Sequence, residues 1–447
     1  MHNLEGTVCD VRHALPGGGI LTFAEAISRV NLSPPVLKPS QKCGRIMNKI
    51  SLPSEKLSLK DAQALFLKDE ATTYFSTCTR GLLPSPARAA LDVHLEGLQS
   101  GLTDKDALFA TVEDTRRAFA KLINSDANEV AFTKNVSEGL NMIAAAFDWQ
   151  AGENAVVCLE MEHPNNVYPW LNQRKREDIS VRSVPHREGH IDAELLIDAI
   201  DEKTRLVTMP TVTFSPGFRA DVAAVGKICR ERGIFLLVDA VQSLGILDTD
   251  VMALGVDGLA VSTQKGLCGL YGMGFLYCRA EWAERLTPAY LARFGVDLGG
   301  GAHEAAFGAE DYRLMPAAGR FDLGNYNYPG VVVAEKTLDI LNRVGTQTIE
   351  THVGGLAARL IDGLLGLGLP VPGGPAGPQT ASIVCIGNLG AEGHDTAEDP
   401  MISRLSDHLS QGGFIHTIRR GMIRLALHLY NDEDDVDRLL AHARKLT

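Results

Sequence analysis

Short runs of consecutive apolar residues alternate along this chain with stretches whose apolar positions recur every three or four residues. "EVAFTK", "NAVVCLE", "RLVTMPTV", "IFLLVD" and "GLAVST" are brief, rich in β-branched residues and apolar at successive positions. That pattern suits strands buried on both faces of a parallel sheet. Between them, "SPARAALDVHLEGL" with proline near its first turn, "SEGLNMIAAAF" opened by Ser137, and "ADVAAVGKICRERG" predict helices. The alternation predicts an α/β domain with a mostly parallel sheet. Near Pro329 the texture changes to two long helical patterns, "GVVVAEKTLDILNRVG" and "IETHVGGLAARLIDGLLGLG", followed by the Pro/Gly stretch "LPVPGGPAGP". The final "NDEDDVDRLLAHARKL" sets Val436, Leu439, Leu440 and Ala443 on one helical face.

These patterns divide the chain into a flexible N-terminal extension over 1–55, a segment over 56–90 expected to join the C-terminal part, a large α/β domain over 91–328 and a smaller α+β domain over 329–447. The extension contains Gly17-Gly18-Gly19 and Pro34-Pro35 and lacks periodicity. Met47, just before a segment expected to start a capped helix, is an alternative first residue. With 45% hydrophobic and 22% charged residues the chain supports a sizeable core. Its formal net charge of -12 argues against nucleic acid as a partner, because phosphate contacts need clustered lysine and arginine. Eight scattered cysteines without a CxxC pair or zinc-type spacing argue against a metal site and a disulfide framework. No apolar run is long enough to span a bilayer, and the N-terminus lacks a signal-peptide core. A soluble, cytoplasmic protein is expected.

Ligands of open α/β sheets sit beyond the carboxyl ends of the strands, so polar residues there carry the chemistry. "IFLLVD" ends in Asp239, with Gln242 close behind; "GLAVST" contains Ser262 and runs into Gln264 and Lys265; "NAVVCLE" leads to His163 in "MEHPNNVYPW". "EVAFTK" leads into "NVSEG", where a helix start at Val136 and Ser137 offers backbone N–H groups to an anion. Singly, each has an ordinary role: Asp239 and Ser137 as helix caps, His163 as a hydrogen-bonded structural histidine, Lys265 as a loop charge. Together, on successive strand ends, they point to one site.

"VDAVQS" followed by "GLAVSTQKGLCGLYGMGFLY" resembles the signature of class V aminotransferase-type enzymes, as do "MEHPNNVYPW", "GRFDLGNYNYPG" and "MIRLALHLYNDEDDVDRLL". These fold type I proteins use pyridoxal 5′-phosphate; they include cysteine desulfurases, selenocysteine lyases, kynureninases and isopenicillin N epimerase-like proteins. The resemblance runs from about residue 70 to the end. It implies a large domain with a mostly parallel seven-stranded sheet flanked by helices. It further implies Lys265 as the amine that condenses with the cofactor aldehyde, Asp239 as partner of the ring nitrogen, His163 stacked on the ring and Gln242 at the phenolic oxygen. Val136, Ser137, Ser262 and Gln264 would hold the phosphate, joined by Asn325 from the neighbouring subunit of a homodimer. Arg424 would pair with the carboxylate of an amino-acid substrate; otherwise it is a surface arginine on an edge strand.

Two departures narrow the family. The stretch before Arg424, "SQGGFIHTIRRGMIRLAL", has no cysteine, and Phe214 stands where desulfurases place an asparagine. A persulfide-forming desulfurase is therefore not expected, and the spacing from Lys265 to Gly272-Met273-Gly274 favours the kynureninase/epimerase-like branch. The expected activity is a lyase of the β-eliminating, C–S lyase type. Aminotransferase and epimerase remain open, the latter needing a second acid such as Tyr74, Tyr326 or His416, and so does a non-catalytic cofactor-binding protein.

Overall fold

A segment that is apolar on successive residues has no polar face for water, so it is stable only with both faces covered. The computed structural model describes residues 56–69, 71–299, 312–391 and 393–446. The extension expected over 1–55 and the alternative start at Met47 lie outside them. Glu55–Thr447 form one compact unit. Its chain enters through helix α1 (Leu59–Gln63), capped by the Ser58 hydroxyl, which accepts the Asp61 amide at 3.1 Å. Strand β1 (Thr73–Tyr74) and helices α2 (Ser85–Ser100) and α3 (Lys105–Leu122) follow.

The alternating region then runs β2 (Val130–Thr133), α4 (Val136–Ala146), β3 (Asn154–Val157), α5 (Tyr168–Arg176), β4 (Ser180–Ser183), α6 (Ala193–Asp198), β5 (Thr204–Pro210), α7 (Val222–Arg232), β6 (Phe235–Asp239), β7 (Gly258–Ser262) and β8 (Gly274–Cys278). Seven of these strands form one sheet in the order β2-β8-β7-β6-β5-β3-β4. Only β8 runs against its neighbours, so the expected mostly parallel sheet is what forms. Strands β6, β7 and β8 are buried along their whole length, whereas β4, at the sheet edge, has no buried residue.

Helix α8 (Ala280–Ala283) and the pair β9 (Val296–Asp297) and β10 (Arg313–Leu314) lead to the long helices α9 (Tyr328–Val344) and α10 (Thr346–Gly366). Pro329 falls in the first turn of α9, where its missing N–H costs nothing, and α9 packs on α2 and α3. The remaining elements are β11 (Ile383–Ile386), α11 (Pro400–Gln411), β12 (Phe414–Ile415), β13 (Thr417–Arg419), β14 (Met422–Ala426) and α12 (Glu433–Ala443). Strands β11, β14 and β13 form an antiparallel sheet with β14 in the middle. The segment after β1 joins this sheet to the lysine loop. Ala426 donates its N–H to the Phe75 carbonyl at 2.7 Å, and Gly81 donates to the Gln264 carbonyl at 2.8 Å.

Two glycines after Lys265 are dictated by close approach of backbone to backbone. A Cβ at Gly266 would lie 2.3 Å from the Leu244 carbonyl oxygen, and one at Gly274 would lie 2.4 Å from that of Val261. No helix among the described residues is long and apolar enough to cross a membrane. Gly274→Ala forces an overpacked contact between β7 and β8, in the part of the sheet that presents Ser262 and Lys265. Urea unfolding should show a loss of about 1–3 kcal/mol, and an unchanged midpoint would contradict this packing.

Candidate active site

The carboxyl ends of β6 and β7 bring the first groups together. Asp239 is the last residue of β6 and only 3% exposed. Its Oδ1 accepts the Val241 amide at 3.0 Å, while Oδ2 takes no hydrogen bond among the described residues. Burial pushes its pKa up to about 6, against the pull of that amide and of the Lys265 charge. Lys265 lies three residues beyond β7, and its side-chain amine has neither a hydrogen bond nor an ion pair among the described residues. Burial lowers its pKa, and Asp239 opposes the shift.

The lysine loop is gripped from the C-terminal side. His428, wholly buried two residues past β14, contacts the Gly266 carbonyl through Nε2 at 2.8 Å. Its Nδ1 accepts the Leu429 amide at 2.7 Å, which assigns the proton to Nε2. Burial pushes its pKa down to about 4, so the imidazole is neutral at pH 7. The ring stacks on Tyr430 at 5.0 Å, and the Tyr430 hydroxyl meets Thr77 Oγ1 at 2.5 Å.

His163 lies beyond β3, with Nδ1 accepting the Asn165 amide at 3.2 Å. Burial, with the nearby Lys265 and Arg424 charges, pushes its pKa down to about 4. Phe214 stands edge-on to it, ring centres 5.3 Å apart. Beside it, Glu162 is 3% exposed; its Oε1 accepts from Asn166 at 2.9 Å and its Oε2 has no partner among the described residues. Burial, then the Asp239 charge, pushes the Glu162 pKa well up. Asn166 is fixed in turn by the Trp170 indole at 3.0 Å and by Thr208.

At the start of α4 the structure departs from expectation. Asn135, not Ser137, is the cap, its Oδ1 accepting the Glu138 amide at 2.9 Å. The Val136 amide is spent on Ser262 Oγ at 2.7 Å, which pins α4 to the end of β7. Ser137 sits inside the first turn, and neither its amide nor its hydroxyl has a partner among the described residues. Gln264, two residues after Ser262, is half-buried, and Gln242 donates its side-chain amide to the Cys78 carbonyl at 3.3 Å.

Arg424 occupies the central strand of its sheet and is 3% exposed, so the edge-strand alternative falls. Its Nε donates to Thr417 Oγ1 at 3.2 Å and its Nη1 to the Phe214 carbonyl at 2.5 Å; no carboxylate pairs with it among the described residues. Cys78, buried at 4% exposure, places Sγ 3.8 Å from the same Thr417 Oγ1. Cys385, far upstream in sequence, lies directly across the ladder from Arg424, but its thiol points to the Pro216 carbonyl at 3.1 Å and burial pushes its pKa up to about 12. Asn325 is not brought to Lys265. It borders a separate cavity of about 320 Å³ with Thr133, Lys134, Glu138 and Gly272.

The groups considered as a second acid are occupied elsewhere. The Tyr74 hydroxyl donates to the Arg80 carbonyl at 2.6 Å, and Tyr326 donates to Asp322 at 3.1 Å. His416 is held between the Phe414 carbonyl at 2.9 Å and Ser406 at 2.8 Å. Sequence reasoning missed Glu162, Thr417 and His428. Only Glu162, adjacent to His163, carried a local hint; the other two reach the site through long-range pairing.

A family model for class V aminotransferases matches residues 98–439. The chain is 30% identical to a probable cysteine desulfurase of Methanothermobacter thermautotrophicus, over 73% of this chain and 82% of that one. It is also 30% identical to the uncharacterized aminotransferase YcbU of Bacillus subtilis, over 83% and 94%. Among solved structures, apo cysteine desulfurase from Thermococcus onnurineus NA1 superposes with a TM-score of 0.75 at 23% identity, covering 87% of this chain and 97% of that one. The cystine C–S lyase C-DES gives 0.73 at 23%, covering 84% and 98%.

Burying Asp239 has a measurable cost. Its pKa rises from 3.8 to about 6 on folding, so ionising it in the ligand-free fold costs about 3 kcal/mol. That penalty is absent below pH 3.8, where both states are protonated, and complete above pH 6. Ligand-free Asp239→Asn should therefore be more stable than the parent at pH 8, with the gap closing as pH falls towards 4. Chemical denaturation across that range checks it, and a pH-independent gap would refute the assignment.

Proposed function

The chain belongs to the class V aminotransferase family and is a pyridoxal 5′-phosphate-dependent enzyme, and on that premise we propose that it is a lyase removing a β-substituent from an amino acid, without forming a protein persulfide. The residues fit the cofactor: an amine with no partner, a buried carboxylate with one oxygen free, and an unused N–H and hydroxyl at a helix start. When bound, the cofactor supplies an aldehyde for an amine and a ring that draws electrons away from Cα. Lys265 would be the amine that holds the cofactor, and the same amine would serve as the base for the Cα proton. Asp239 would partner the ring nitrogen of the cofactor, His163 would cover its ring, and Gln242, now bonded to the Cys78 carbonyl, would serve its phenolic oxygen. Ser137, Ser262 and Gln264 serve the phosphate; Val136 acts through its bond to Ser262.

Arg424 holds the substrate carboxylate. Its guanidinium is dry and meets only neutral acceptors, so an incoming carboxylate supplies the missing charge at little further desolvation cost. We also infer a homodimer in which Asn325 serves the neighbouring phosphate. The support is its position away from Lys265, on a cavity at the α4 end of the sheet.

The observation that carries elimination without sulfur transfer is the state of the thiols around Arg424. The hairpin leading to it has none, and Cys385 opposite is capped by a carbonyl and held protonated. Epimerisation is disfavoured because Tyr74, Tyr326 and His416 are all engaged elsewhere. One observation favours a second reading: Cys78 approaches Thr417, the hydroxyl that also holds Arg424, from the far end of the chain, as a desulfurase thiol of unusual origin would.

Product analysis separates these readings. β-substituted amino acids should give pyruvate and ammonia, and Lys265→Ala should slow this by about 10²–10⁴-fold, the usual worth of a positioned base. Cys78→Ser should retain most pyruvate formation. A persulfide trapped on Cys78 and lost in that variant would establish the desulfurase reading instead, while a keto acid retaining the β-substituent would indicate transamination.

A further inference from the structure

The hairpin that carries Arg424 also carries a second arginine at the same residue. Strands β13 and β14 are joined with Arg419 opposite Met422, which leaves Arg420-Gly421 as a two-residue turn. Both have positive φ, 52° and 67°. Hairpins of this kind favour Asn, Asp or Gly at the first turn position, because a Cβ is strained there. An arginine at that point is chosen against backbone preference, which calls for a reason in its side chain.

That side chain turns in towards Phe214. The Arg420 guanidinium lies over the Phe214 ring at 4.9 Å, while Arg424 donates to the carbonyl of the same Phe214. The Phe214 ring is edge-on to His163. Two guanidiniums thus flank one residue in the wall of the site. Neighbouring Arg419 is neutralised by an ion pair to Asp395. Arg420 makes no direct ion pair among the described residues, although the Glu160 carboxylate is close enough to act on its charge. Its hydrogen bonds go to the Glu160 carbonyl at 2.5 Å and the Met161 sulfur at 3.7 Å, and the Glu160 carboxylate lies 3.8 Å from His186. Burial lowers the Arg420 pKa, so its charge is maintained at a solvation cost.

We propose that Arg420 is a specificity-determining residue that pairs with a second anionic group, so that the substrate is an amino acid whose side chain ends in a carboxylate, sulfinate or similar oxyanion. This rests on the reading of Arg424 as the partner of the α-carboxylate. Two cations set on either side of Phe214, with Lys265 feeling the charge of Arg424, make a field that an anion at each end of a ligand satisfies and a singly charged ligand satisfies only in part. The planar guanidinium suits an oxyanion of either geometry.

The test uses acids without an amino group, which bind but do not react. Calorimetric titration of the holoenzyme with succinate and with propionate should show succinate favoured by about tenfold or more, the worth of one charge-assisted pair. Arg420→Met should abolish the ratio while leaving propionate binding in place, and Arg420→Lys should restore part of it. The ratio is internal to each variant, so a general loss of stability does not mimic the effect. Equal binding of the two acids by the parent, or an undiminished ratio in Arg420→Met, would overturn the proposal. Because no turnover is involved, failure to form pyruvate from any substrate would sink the lyase reading and leave this result standing. Loss of propionate binding in Arg424→Met checks the premise separately.

Discussion

Charge held out of water without a counter-charge is the constraint on which this site depends. Arg424 and Asp239 are buried and Lys265 is half-buried, and none has an ion-pair partner among the described residues. Left to themselves such groups would turn to solvent or draw in water. They stay because each is fixed by backbone that has no freedom to move: the end of a fully buried strand, a loop packed glycine against carbonyl, and the central strand of a second sheet. The fold maintains an unsatisfied field, and the ligand completes it.

That arrangement explains which parts were legible in the sequence. Consecutive apolar residues identify β3, β5, β6 and β7 because nothing but a covered parallel strand suits them, and the polar residues ending β6 and β7 then mark the ligand side. The start of α4 falls at Val136 as read, but its cap is Asn135 rather than Ser137. Asn135 and Ser137 are both good caps by composition, and only the observed reach of Asn135 to the Glu138 amide decides between them. Once Asn135 is the cap, Ser137 is released for another task.

The remaining features depend on pairings that no local pattern records. Cys385 and Arg424 are distant in sequence yet opposite in the ladder. Thr417 meets Arg424 because β13 and β14 form a hairpin, and His428 reaches Gly266 across 162 positions. The glycines following Lys265 read as a permissive loop; Gly266 and Gly274 are instead points where two backbones touch, so their composition reflects chain-on-chain packing.

The His428 contact has a geometric consequence. Arg424 and His428 lie on one extended stretch, four residues apart, a span of roughly 13 Å at strand rise. One end carries the Arg424 guanidinium, and the other is bonded to the carbonyl next to Lys265. The stretch therefore fixes the spacing between that guanidinium and the lysine loop, with both marks cut into the same piece of backbone.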